Sequence, residues 1–177
     1  MNALTHTMFA LAVFTSASTG AFELNSQDIK EGHPMAKTFE YNDWGCNGGN
    51  QSPQLQWRNP PIGTKSFAIT AYDPDAPTGS GFWHWIAFNI PASVNELPRA
   101  VAIKKLGGQE ARIDYGSVGF GGACPPAAQG MHRYQFTVWA LPTDKFTFDE
   151  TTPAAVIGFT LNSTALGKAT LTATYTR

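Results

Sequence analysis

Phe67-Ala-Ile-Thr-Ala-Tyr72-Asp-Pro-Asp-Ala-Pro77 is the stretch whose reading decides the fold. Its first residues form an apolar run with β-branched and aromatic members, and Ser66 to Tyr72 reads as a strand. Pro74 and Pro77 lack an N–H and fix φ, so no ladder strand continues through them. The strand therefore ends on a rigid corner that carries Asp73 and Asp75. Carboxylates held at a strand end make a natural start for a binding site.

Further strands lie on both sides of this corner. Lys37 to Tyr41 and Gln54 to Trp57 alternate as short strands, and His84 to Ile90 is a longer one. Arg133 to Leu141 carries the strongest aromatic and β-branched signal, and Ala169 to Tyr175 is the last. One helix is expected late in the chain. Thr152 suits its cap, Pro153 its first position and Gly167 its stop. Ala154, Ala155, Val156, Ile157, Leu161 and Leu166 would form its core stripe. The fold class is mainly β and antiparallel, in one domain.

Composition narrows the function. Twelve basic residues face 13 acidic ones, which leaves no electrostatic footprint for nucleic acid. Five Trp and 12 Phe supply the apolar bulk of a core. The mature region contains no apolar run long enough for a membrane span. Residues 1 to 21 read as an export signal, with an apolar stretch from Met8 to Phe14 and small residues before a cleavage after Ala21. Its first residues hold no Lys or Arg, and the alternative is an N-terminal helix of the mature fold. The domain then spans residues 22 to 177, in the periplasm or secreted. Two cysteines in an exported chain usually pair, here Cys46 with Cys124, the alternative being two buried thiols. On the chain-entropy account such a loop is worth at most about 4–5 kcal/mol.

The chemistry-bearing residues cluster in four motifs: Asp73 to Pro77, Trp83-His84-Trp85, Gly121-Gly-Ala-Cys-Pro-Pro126 and His132-Arg133-Tyr134. Residues two apart on a strand share a face, so His132 and Tyr134 point together and Arg133 points away. Asp73 and Asp75 do the same if their corner stays extended. A carboxylate fixes the tautomer of a neighbouring histidine and favours its protonation. Gly119, Gly121 and Gly122 suit a loop that turns N–H groups toward an anion. These residue types fit a phosphate, sulfate or carboxylate. Each also has a plainer role: a hydrogen-bonded strand histidine, a turn aspartate, core or rim tryptophans, a salt-bridged Arg133. Asp73, His84 and His132 could ligate a metal, but the H-x-x-H type of spacing is absent. No metal or other cofactor is expected.

In this order the four motifs resemble the phosphatidylethanolamine-binding protein family, also called the Raf kinase inhibitor protein family. Gly49 to Trp57, Gly119 to Pro126 and Tyr134 to Leu141 resemble in particular its bacterial periplasmic branch. The resemblance covers the whole mature chain. It implies a large central antiparallel sheet with a smaller sheet packed on it and helical structure near the C-terminus. It implies an anion pocket formed by Asp73, Asp75, His84, His132 and Tyr134, with loop contacts from Gly122, Ala123, Cys124, Pro125 and Pro126. Eukaryotic members have a longer segment where Thr78 to Phe82 stands here, and a helix after the last strand, so a more open pocket is expected. A Cys46–Cys124 bridge would tie two pocket loops together.

The function this implies is the binding of a small anionic ligand: phosphate, a phospholipid head group or a carboxylate. The alternative is a protein partner, with the pocket face acting as a protease inhibitor or signalling modulator. Family members often dimerise, so a homodimer is a further option. A third reading is a hydrolase in which His and Asp activate water, but no Ser or Cys nucleophile is placed next to them.

Overall fold

The computed structural model describes residues 20–149 and 151–177. The expected export signal falls almost wholly on residues 1–19, outside the described residues. Eight strands and one helix follow in chain order: β1 (Glu23–Asn25), β2 (Leu55–Arg58), β3 (Ser66–Asp73), β4 (Phe82–Pro91), β5 (Glu96–Leu97), β6 (Gln109–Glu110), β7 (His132–Leu141), α1 (Ala154–Thr164) and β8 (Gly167–Tyr175). They form a five-stranded sheet in the order β6-β4-β3-β7-β8 and a three-stranded sheet in the order β1-β2-β5. Every strand pairing is antiparallel.

β3 is central and covered on both faces, which explains why its sequence is mostly apolar instead of alternating. Phe67, Ile69 and Ala71 meet Leu24, Leu55, Trp57 and Leu97 of the small sheet, with Phe136, Val138 and Ala140 of β7 on the same face. Ala68, Ile86, Phe88, Trp139 and Leu141 lie on the opposite face, against Ala154, Ile157 and Leu161 of α1. The large sheet is thus the middle of three layers. Its β8 edge is partly capped by the segment before the first 3-10 turn: Gly32 N–H donates to Thr172 O, and Thr174 N–H to His33 O.

Several expectations need correction. Lys37–Phe39 is a 3-10 turn and not a strand, because Phe39 and Glu40 N–H groups close back on Ala36 and Lys37. Thr152 does not cap α1, because its hydroxyl donates to Asp149 Oδ1 and accepts the Asp149 N–H. Pro153 is the cap instead, with extended backbone, and Gly167 opens β8 instead of stopping the helix. The buried stripe is Ala154, Ile157, Gly158 and Leu161, while Ala155, Val156 and Leu166 are exposed. Gly158 sits there because a Cβ would lie 2.5 Å from the Trp83 ring.

Candidate functional site

The site forms where β3 ends and β4 and β7 begin. The proline corner after Asp73 is a turn, and the Asp75 N–H folds back onto Asp73 Oδ1 at 2.8 Å. Asp73 Oδ2 faces His132 Nδ1 at 2.7 Å, and both side chains are buried. A carboxylate only accepts, so His132 Nδ1 carries the proton of this bond. His132 and Tyr134 share a face and Arg133 points the other way, as strand alternation requires.

His84 reaches the same face through an irregularity. Tyr72 pairs with Trp83 and Ala71 with Trp85, which leaves His84 as the extra residue of a β-bulge. Its ring packs edge-on against Tyr134 at 5.1 Å, while the neighbouring Trp85 also enters the core on this face. His84 Nδ1 lies 2.9 Å from Gly121 O and 3.1 Å from Gly122 O. Both partners are carbonyls, so Nδ1 is the protonated nitrogen of the neutral ring and Nε2 keeps a lone pair. Burial pushes the His84 pKa down to about 4, against the pull of the two carbonyls and Asp73.

The glycine-rich loop plays a different part from the one expected. Gly121 N–H donates to His84 O and Ala123 N–H to Phe39 O, and Gly122 N–H donates to Asn50 Oδ1 at 2.8 Å. Proline supplies none at positions 125 and 126. The amides of Gly121, Gly122 and Ala123 are therefore spent on the fold, and the loop's contribution is the carbonyl pair that orients His84. Gly122 is required there, because a Cβ would approach Phe39 O to 2.4 Å. Asp75 is also displaced from its expected place. It accepts the Arg133 N–H at 2.9 Å and the guanidinium at 2.9 and 2.7 Å, and Arg133 holds its pKa down at about 2. Asp75 thus faces Arg133, away from the cavity that Asp73 lines.

That cavity measures about 170 Å³. Asp73, His84, His132 and Tyr134 form its polar part, and Cys124, Pro125 and Pro126 form one wall. Tyr134 is buried, and its hydroxyl has no hydrogen-bond partner among the described residues. Burial raises its pKa, and the Asp73 carboxylate adds to this through its charge and as a hydrogen-bond acceptor near the hydroxyl. Residues the motifs did not single out complete the lining. Tyr115 stacks on Tyr41 at 3.9 Å and meets His84 edge-on at 5.4 Å, and its hydroxyl donates to Gly122 O. Trp44, 59% exposed, stands edge-on to Tyr115 at 4.9 Å. A tryptophan inside the polar loop from Asn42 to Pro53 was the signal for this rim; Tyr115 gave none. The Cys46–Cys124 disulfide joins the Trp44 loop to the Pro125 wall, with Cα atoms 6.0 Å apart. Among the described residues no group of three or more His, Cys, Asp or Glu side chains could hold a metal ion. None of their helices is long and apolar enough to cross a membrane.

The fold and site define a class: a two-sheet antiparallel β protein with an Asp–His pair, a second histidine and a tyrosine gathered at the strand ends. Residues 25–176 match the family model of the phosphatidylethanolamine-binding proteins, and the chain belongs to that family. It is similar to the UPF0098 protein YbcL of Escherichia coli, 45% identical over 174 residues, covering 96% of this chain and 94% of the relative. It is also similar to the UPF0098 protein YbhB of the same organism, 41% identical over 157 residues, 86% of this chain and 99% of the relative. The crystal structure of E. coli YbcL, described as a new member of the mammalian PEBP family, superposes with a TM-score of 0.84 at 45% identity, covering 88% of this chain and 98% of that one.

Proposed function

We propose that this chain is an exported binding protein, and not an enzyme, that holds a small anionic group in the cavity floored by Asp73, His84, His132 and Tyr134. The observation that carries the proposal is the Tyr134 hydroxyl, a buried donor that no hydrogen bond of ordinary length and angle satisfies, although the Asp73 carboxylate acts on it from nearby. Leaving such a group unpaired costs about 1–3 kcal/mol, which a ligand oxygen would recover. The volume suits one head group, such as phosphate, phosphoethanolamine or a carboxylate. Family membership supports this ligand class. Within the lining the one aliphatic hydroxyl, Thr78 Oγ1, is bonded to Gly81 O and Cys124 is in the disulfide, so no free Ser, Thr or Cys nucleophile stands beside the histidines.

Calorimetric titration of residues 22–177 with phosphate, phosphoethanolamine and acetate tests the reading, with His84→Ala as control. Saturable binding that weakens in the variant is expected, and no heat with any of the three would contradict it. Export is supported by the apolar N-terminal run and by the disulfide, which suits an oxidising compartment. Secreted or periplasmic protein whose first residue is Phe22 is the expected result of N-terminal sequencing. A second reading, a protein partner at the same face, is favoured by exposed apolar side chains: Trp44 at the mouth and Met131 next to His132 in the chain. A pull-down whose recovered partner is lost in Trp44→Ala would support it.

A further inference from the structure

The polar atoms of the cavity do not make an ordinary anion site. His84 Nδ1–H is committed to Gly121 O and Gly122 O, and its other nitrogen presents a lone pair. Asp73 is spent on His132 and on the Asp75 amide. The backbone amides of Gly121, Gly122 and Ala123 are turned into the fold. Tyr134 O–H remains as a donor. A fully deprotonated oxyanion has only acceptors, and against His84 Nε2 it would set lone pair against lone pair. Asp73 holds only Nδ1 of His132, so its Nε2 also belongs to the lining. A ligand that satisfies both Tyr134 and His84 accepts from the first and donates to the second.

We propose that the site selects an oxyacid that keeps one O–H, the monoanion of a phosphomonoester or of free phosphate, with that O–H donating to His84 Nε2. This rests on the anion-binding reading above and narrows it. The charged and titratable groups around His84 are Asp73 at the end of β3, His132 and Tyr134 on β7, and Tyr115 in the loop before Gly121. Arg177 follows β8, with its guanidinium 3.1 Å from Cys46 Sγ, and acts on Tyr115 from there. Burial keeps His84 neutral across the physiological range, so it cannot supply the missing proton itself.

The test compares methyl phosphate with dimethyl phosphate, which has no O–H, by calorimetry at about pH 7.5 in buffers of different ionisation enthalpy. A phosphomonoester loses its second proton near pH ~6, so it is mostly dianion there. Binding as the monoanion should then take up close to one proton per methyl phosphate, and affinity should fall roughly tenfold per pH unit above that value. Dimethyl phosphate should bind at least ~tenfold more weakly, with no proton uptake. His84→Asn, which keeps an N–H for the loop carbonyls, should lose the discrimination between the esters. Free phosphate in parallel shows whether the ester carbon contributes. Equal affinity for the two esters, or methyl phosphate binding without proton uptake, would overturn the proposal and leave the anion site standing. Uptake with both esters would put the proton on the protein and not on the ligand, and would also overturn it. No binding of either ester or of phosphate would remove both readings.

Discussion

Asp73 and His132 meet at 2.7 Å with both side chains buried, one from the last residue of β3 and the other from the first residue of β7. The pair joins the two central strands where the cavity opens, so it serves fold and site together. Removing one partner strands the other in a medium that solvates it poorly. His132→Ala should cost about 3–5 kcal/mol in urea unfolding. The double variant Asp73→Asn/His132→Ala should recover part of that loss, because no unpaired carboxylate is left. A double variant no more stable than His132→Ala would contradict this.

Asp75 and Arg133 form an outer pair with a different signature. The folded-state pKa of Asp75 is depressed to about 2 from an ordinary 3.8, chiefly by Arg133. Its contribution is therefore present above the unfolded value and lost as pH falls from near 3.8 through about 2. Asp75→Asn should flatten the acid limb of stability in that window and leave anion binding within about threefold, since Asp75 lies outside the cavity lining. An unchanged acid limb would argue against the pair.

Opening the disulfide should act on stability and binding at once. On the chain-entropy account a bridge spanning 78 residues contributes up to about 4–5 kcal/mol. It also fixes the Trp44 loop against the Cys124–Pro126 wall. Cys46→Ala should lower the melting temperature and weaken binding of any anion the cavity takes. Lower stability with unchanged affinity would confine the bridge to a structural role.

Gly158→Ala inverts the usual helix rule. Alanine gains up to about 1 kcal/mol in helix propensity, but here its Cβ would lie 2.5 Å from the Trp83 ring. The expected net result is destabilisation of about 1–3 kcal/mol from overpacking. A stabilised variant in thermal unfolding would show that α1 can shift off the sheet.

Much of this architecture was legible because its long strands carry their own signal. β3, β4, β7 and β8 each hold eight to ten residues of apolar, aromatic or β-branched sequence. β5 and β6 have two residues each, too few for any periodicity, and exist because the long strands offer them a ladder. Within the site, Asp73, His132 and Tyr134 followed from a proline corner and strand alternation. His84 did not, because the bulge that aims it breaks the two-residue period. The Gly121–Ala123 amides misled for a related reason: a glycine-rich loop can turn N–H groups toward an anion, but here Asn50, Phe39 and the backbone of His84 claim them. Those partners are distant in sequence, and only the fold brings them together. The same holds for Tyr115, placed by its contacts with Tyr41 and His84.

The central claim is that the cavity keeps a buried hydroxyl unpaired for a ligand, and Tyr134→Phe tests it most directly. In the free protein the change removes an orphaned polar atom at nearly constant shape, so stability should stay level or rise by about 1 kcal/mol. Phosphate affinity of the same variant should fall by about tenfold or more, the equivalent of one lost hydrogen bond. A variant that is less stable and binds phosphate as tightly as the parent would mean that Tyr134 serves the core alone, and would contradict the account.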